Sequence, residues 1–300
     1  MTTRADVLGR GFPPTARSGE VLSRLRKALR NPVTAAGTAI VVAFAVIALF
    51  APWIAPSPKD AYGSPPGGER LQIPSWHHPF GTDTLGRDIL SRVIIGARLS
   101  IQIIALSVTS AAAIGVTIGL VSGYFSRWVD DALMRLTDVF LSLPSLILAM
   151  LITVTLGASI NSTIIAIALT YWPHYARLVR GETLRYRAQP FIDAATAIGA
   201  NWGRIIRRHL LPNTLPTVLV QASLDSGGVL LTAASLGFLG LGARAPTPEW
   251  GLMVAVGREL MPTYWWLSAF PGLAIFVVVI GLNLLGDGLR SFLDPRARLA

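Results

Sequence analysis

The sequence predicts an all-α, polytopic membrane protein with six transmembrane helices, and three observations lead there. The first is composition. Of 300 residues, 52% are hydrophobic and 14% charged, with a mean hydropathy of +0.55; a soluble domain carries roughly 25% charged residues. The second is segregation. Long apolar runs almost free of charge alternate with short polar segments, and the apolar runs have the length a bilayer requires, about 20 residues. The third is the placement of the basic residues. The net charge of +10 is not a nucleic-acid-binding patch, because the Arg residues cluster in the segments between apolar spans, as topology determinants do. The chain has no Cys, which excludes a disulfide framework, thiol catalysis and Cys-ligated metal.

Residues 1–34 form a basic tail with Arg4, Arg10, Arg17, Arg24, Arg26, Lys27 and Arg30. The first span follows over 35–55. It is longer than the apolar core of a signal peptide and ends at Pro52 and Trp53, an interfacial pair. Residues 56–98 are polar and rich in Pro and Gly, with a helix expected from Asp88 into the next span. His77, His78, Asp83 and Asp88 fall in this segment without the spacing of a metal site, and they read as turn chemistry and solvated charge. Residues 99–287 carry five more spans. In the second, Gly115, Gly119 and Gly123 share one face and permit close helix approach, within the subunit or against a partner. Arg127 to Arg135 reads as a short polar loop. Val139 to Ala176 is too long for one span and divides at Gly157 to Ser162, with Pro144 and Pro173 expected to kink the two halves. The fifth span, Asn213 to Gly242, has one ionisable residue, Asp225, with Gln221 one turn earlier on the same face. A charge at that depth faces protein or water, not lipid. It reads either as a pathway-lining group or as a structural hydrogen-bonding one. Trp250, Trp265 and Trp266 suit an interfacial belt. The sixth span begins near Trp266, and residues 288–300 form a second basic tail.

The segment 189–212 stands apart because it is polar and basic between two apolar runs. Phe191, Ala194, Ala195, Ile198, Trp202, Ile205, Ile206 and Leu210 follow the spacing of one helical face. Pro190 suits a first helical turn, and Asp193 is favoured near that N-terminus. Gly199 suits a left-handed helix end, Asn201 suits the cap of a second helix, and Pro212 closes the segment. Such a helix either lies at the lipid interface or docks onto a partner.

The pattern Asp193-Ala194-Ala195, then Gly199, then Leu211-Pro212 resembles the EAA loop of ABC-importer permeases. Asp193 stands where Glu is usual. His209 stands where Ile is usual, which is similar to the dipeptide and oligopeptide branch. The strings HPFGTDTLGRDILSRVIIGARLS from His78, ASLGFLGLGARAPTPEWG from Ala234 and LGDGLRSFLDPRARLA from Leu285 resemble the same branch, its "C" permease in particular. The resemblance covers nearly the whole chain from Asn31 to Arg298.

It implies a type I ABC-importer permease fold in a bacterial cell membrane. It further implies a second, related permease as heterodimer partner, one or two ABC ATPase subunits below and an extracytoplasmic substrate-binding protein above. Phe191, Ile192, Asp193, Ala194, Ala195, Ile198 and Gly199 would form the coupling helix, continued by His209, Leu211 and Pro212. No cofactor is expected in this chain; ATP and Mg would bind the partner ATPases. The sequence itself has no Walker A glycine loop, no HExxH and no GxSxG, so catalysis by the chain is not expected. The substrate implied is a di- or oligopeptide, with nickel or another small solute as the alternative. In a different class, Asp225 would serve an ion-coupled transporter or channel working without an ATPase.

Orientation follows from the basic residues. With both termini cytoplasmic, 19 of the 26 Lys and Arg residues lie inside and 7 outside, as the positive-inside rule requires. That orientation puts the 189–212 loop in the cytoplasm.

Overall fold

The computed structural model describes residues 31–63, 68–125 and 127–293. The two tails therefore lie mostly outside the described residues. Helix α1 spans Pro32–Ile54. Asn31 caps it by accepting a hydrogen bond from the Val33 N–H at 3.0 Å. A 3-10 turn at Pro58–Ala61 follows. Helix α2, Ile89–Tyr124, starts where the sequence places it. Asp88 is its N-cap, its carboxylate accepting from the Ser91 N–H at 2.8 Å.

Helix α3, Arg127–Ser142, corrects the expected loop. Its charges are not loop signals; they pair across to the next long helix. Pro144 ends α3 outright, because proline disfavours a helical conformation in the residue before it. The chain resumes as α4, Ser145–Leu156, bent by 92° from α3. Gly157, at φ +83°, then lets it turn into α5, Ile160–Arg187. Ser159 caps α5 by accepting from the Ser162 N–H. Pro173 stays inside α5 without breaking it.

The short α6, Pro190–Ala197, and α7, Trp202–Ile205, lead through a π-helical turn at Ile206–Leu210 into α8, Leu211–Phe238. Pro212 therefore does not close the 189–212 segment; the helix runs through it. In the π turn the Leu211 N–H already pairs back to the Ile206 carbonyl, so the helix is out of α register just where Pro212 lacks a donor. Helix α9, Trp250–Gly257, and a 3-10 turn at Arg258–Leu260 precede α10, Trp266–Leu293.

Four helices among the described residues are long and apolar enough to cross a membrane, and the bent pair α3 and α4 makes up to a fifth. The remaining long helix, α5, has 28 residues, but Asn161, His174 and its Arg residues lower its hydropathy. The fold is all-helical over the described residues.

The tightest seam joins α2 to α5. The glycines expected to permit close approach do so within the subunit. A Cβ at Gly119 would lie 2.6 Å from the Ala176 carbonyl oxygen, and one at Gly123 would lie 2.6 Å from Thr183 Cβ. Gly115 meets Tyr175 and Trp172 in the same way. Helix α10 packs between α1 and α8, with Gly37 against Leu284 and Gly281 against Ile40.

The polar segment before α2 is folded onto the end of the bundle. Arg92 is buried and donates to the carbonyls of Ala61 (2.7 Å) and Pro246 (3.2 Å). Trp250 donates to the Val93 carbonyl at 3.0 Å, and Phe80 stacks on Phe270 at 3.9 Å. His78 Nδ1 meets Asp88 at 2.9 Å, and Asp83 takes Arg87 Nε at 2.6 Å. These groups thus serve the local fold.

Candidate functional site

Two groups of residues are brought together, one at an end of the bundle and one inside it. The first is α6 and its surroundings. Pro190 occupies the first turn and Asp193 follows within it. Helix α6 ends in a pair of bonds, Gly199 N–H to the Thr196 carbonyl (2.9 Å) and Ala200 N–H to the Ala195 carbonyl (3.0 Å). That is the left-handed glycine termination the sequence predicts, and Gly199 has φ +82°. Asn201 then caps α7 by accepting from the Arg204 N–H at 2.9 Å.

Burial divides the helix into two faces. Ile192 and Ala195 are buried, together with Ile205 and Leu210 beyond the bend. Ile192, Ile205 and Leu210 join a core cluster with Trp172, Tyr175 and Val179 of α5. Asp193, Ala194 and Gly199 are exposed. Phe191 is half-buried and packs against His209, ring centroids 6.0 Å apart. Three residues assigned to the apolar face by spacing are exposed, Ala194 and two larger ones. Ile198 is 86% exposed, and Trp202, edge-on to Phe125, is 59% exposed. The short helix has only two turns, and Ile198 lies at its frayed end. Leu211 and Pro212 belong to the first turn of α8. The exposed face is therefore one carboxylate beside small and apolar groups, carried rigidly by a buried face.

The second group is a polar stripe between α5 and α8. Gln221 donates to Asp225 Oδ1 at 2.9 Å, as their shared face implies. The Tyr175 hydroxyl faces the same carboxylate. Yet neither that hydroxyl nor Asp225 Oδ2, both buried, meets a partner at hydrogen-bonding geometry. Tyr171 approaches Thr232 Oγ1 at 3.3 Å and lies 6.1 Å from the exposed His174 ring. Tyr171, His174 and Tyr175 were not singled out by the sequence reasoning. The signal was available in their three-and-four spacing on one face of α5. A buried, incompletely satisfied carboxylate is costly, so the stripe has spare capacity for a proton, water or cationic ligand.

The described residues thus form an all-helical bundle of membrane-spanning length with a short capped helix between two long ones. Comparisons with known proteins give the family. The model of the binding-protein-dependent transport system inner membrane component matches residues 115–299, and that of the N-terminal TM domain of oligopeptide transport permease C matches residues 22–71. The chain belongs to the binding-protein-dependent transport system inner membrane component family, and it is an integral inner-membrane permease of the ABC-importer class.

Its relatives include the dipeptide transport system permease protein DppC of Alkalihalophilus pseudofirmus, 44% identical over 93% of this chain and 90% of that one. The probable D,D-dipeptide transport system permease protein DdpC of Escherichia coli K12 is 43% identical over 89% of each chain. The glutathione transport system permease protein GsiD of Escherichia coli is 42% identical over 91% of this chain and 89% of that one. Among solved structures, the inward-facing MetNI methionine ABC transporter shares the fold. The TM-score is 0.55 at 18% identity, covering 68% of this chain and 97% of that one. These relatives do not favour an ion-coupled transporter acting without an ATPase.

Proposed function

We propose that this chain forms half of the translocation pathway of an ATP-driven importer for di- and oligopeptides. The partners are a second, related permease, one or two ABC ATPases and an extracytoplasmic binding protein. Both termini are cytoplasmic, α5 is the fourth of six spans, and ATP with Mg is hydrolysed on the ATPase subunits. Helix α6 is the coupling helix. One observation carries the reading: α6 stands in the chain between α5 and α8, and its buried Ile192 joins the core cluster that holds Trp172, Tyr175 and Val179 of α5. Displacing its exposed face therefore moves the two helices that carry the polar stripe. ATPase closure pulls α6, α5 and α8 rock, and the stripe is presented to substrate.

A peptide is zwitterionic. Asp225 and Gln221 line the pathway and meet its ammonium group, while the hydrogen bonds left open at Asp225 Oδ2 and Tyr175 are completed in passing.

The test is uptake by the assembled transporter in proteoliposomes. Asp225→Asn should lower ATP-dependent uptake of a dipeptide about tenfold, the scale of one charge-assisted hydrogen bond, with ATPase activity retained. Unchanged uptake would remove Asp225 from the pathway. Flux without any ATPase, following an ion gradient, would overturn the coupling. Uptake of nickel in place of peptide would transfer the same architecture to the small-solute alternative.

A further inference from the structure

A cleft of about 650 Å³ opens between α1 and α2, at the end of the bundle that carries the 57–88 segment. It is lined by Ala45, Ala48 and Leu49 of α1, by Tyr62, and by Arg98 and Gln102 of α2. We propose that this cleft is a binding site for an anionic phospholipid, with Arg98 holding the headgroup phosphate and the apolar wall taking an acyl chain.

Depth is the first argument. Arg98 lies nine residues into α2, about 13 Å along the helix at 1.5 Å per residue. Ala45 lies nine residues before the end of α1. Arg98 is at the boundary between the polar 56–98 segment and the apolar run from Leu99, so its exposed guanidinium stands at headgroup level. It is favoured there when its long side chain finds an anion. Among the described residues it makes no ion pair.

Shape is the second argument. Ala45 and Ala48 form a notch where larger side chains would fill the seam, and Val42, Val46, Leu49 and Phe50 continue from it as exposed apolar surface. The cleft thus sets polar groups, Tyr62, Arg98 and Gln102, against an apolar wall. A phospholipid has that polarity.

Native mass spectrometry of the full-length protein, purified from membranes of phosphatidylglycerol and phosphatidylethanolamine, tests the site. Wild type should retain phosphatidylglycerol over phosphatidylethanolamine by about tenfold, one charge-assisted contact. Arg98→Gln should abolish the preference. Ala45→Leu, which fills the notch and leaves Arg98 in place, should lower retention of both lipids while the melting temperature stays within a few degrees. Equal phosphatidylglycerol retention by Arg98→Gln would overturn the proposal. So would displacement by millimolar inorganic phosphate, which would mark a simple anion site. Cross-linking of Leu49→Cys to another subunit in the assembled transporter would also overturn it, because protein would then fill the cleft.

Discussion

Gly199 has φ +82° and open space where a Cβ would stand. A side chain there meets no neighbour, so the cost is backbone strain alone, about 1–2 kcal/mol and more for a branched residue. That strain falls on the joint between α6 and α7, not on the bundle. Gly199→Val should therefore leave membrane insertion and protein level intact while cutting ATP-dependent uptake severely. Normal uptake would mean that the bend does not transmit motion. Glu249 shows the opposite economy, a charge used to cap. Its carboxylate accepts from Gly251 and Leu252 N–H at 2.8 and 2.7 Å at the start of α9. Burial pushes its pKa from 4.5 up to about 7, against the opposing pull of those two bonds. Because the folded value exceeds the unfolded one, its contribution to stability is full below about pH 4.5 and is lost as pH rises through about 7. The melting temperature of the solubilised protein should fall between pH 5 and pH 8 by more than that of Glu249→Gln. Parallel curves for the two proteins would assign the pH dependence elsewhere.

At the scale of elements, α3 is the case where sequence and structure part. Asp130, Asp131 and Arg135 make the stretch look like a solvated loop. Across the bundle, however, Asp130 takes a two-pronged contact from Arg180 at 2.6 Å on each oxygen, and Asp138 takes Arg177 at 2.6 Å. Those partners are some forty to fifty residues away, so no local pattern reveals them. The caps, by contrast, are local chemistry. Asp88, Ser159, Gly199 and Asn201 start or end helices because their own side chains or backbone freedom complete the terminal bonds; three of these boundaries were legible, and the fourth only as a break somewhere in Gly157 to Ser162. The glycine stripe on α2 was legible as close packing, but its partner, α5, was not, because a small-residue face does not name what approaches it. The polar stripe was half legible: Asp225 stands out in an uncharged run, whereas Tyr175 becomes conspicuous only when α5 meets α8. If the Asp130–Arg180 pair ties α3 to α5, a double-mutant cycle with Asp130→Asn and Arg180→Gln should give a coupling of about 0.5–1 kcal/mol, given its partial exposure. A coupling of zero would leave α3 held by packing alone.

For the whole molecule, the decisive property is which way it faces. A docking helix has a use only on the side where the ATPases are, and the orientation proposed from the count of basic residues has α6 on that side. The absence of Cys from the sequence makes this directly measurable, since one introduced thiol is the only target for a membrane-impermeant maleimide. Trp76, 99% exposed in the segment before α2, and Arg207, exposed in the turn between α7 and α8, are positions where Cys costs the fold little. They lie on opposite faces if α2 and the later spans alternate as proposed. In intact cells whose outer membrane is permeable to the reagent, Trp76→Cys should react and Arg207→Cys should not. After the inner membrane is opened, both should react. The reverse pattern would invert the molecule and remove α6 from any cytoplasmic ATPase. Labelling of both positions in intact cells would mean an odd span between them is wrongly assigned, and α5, the least apolar of the long helices, would be the one in question.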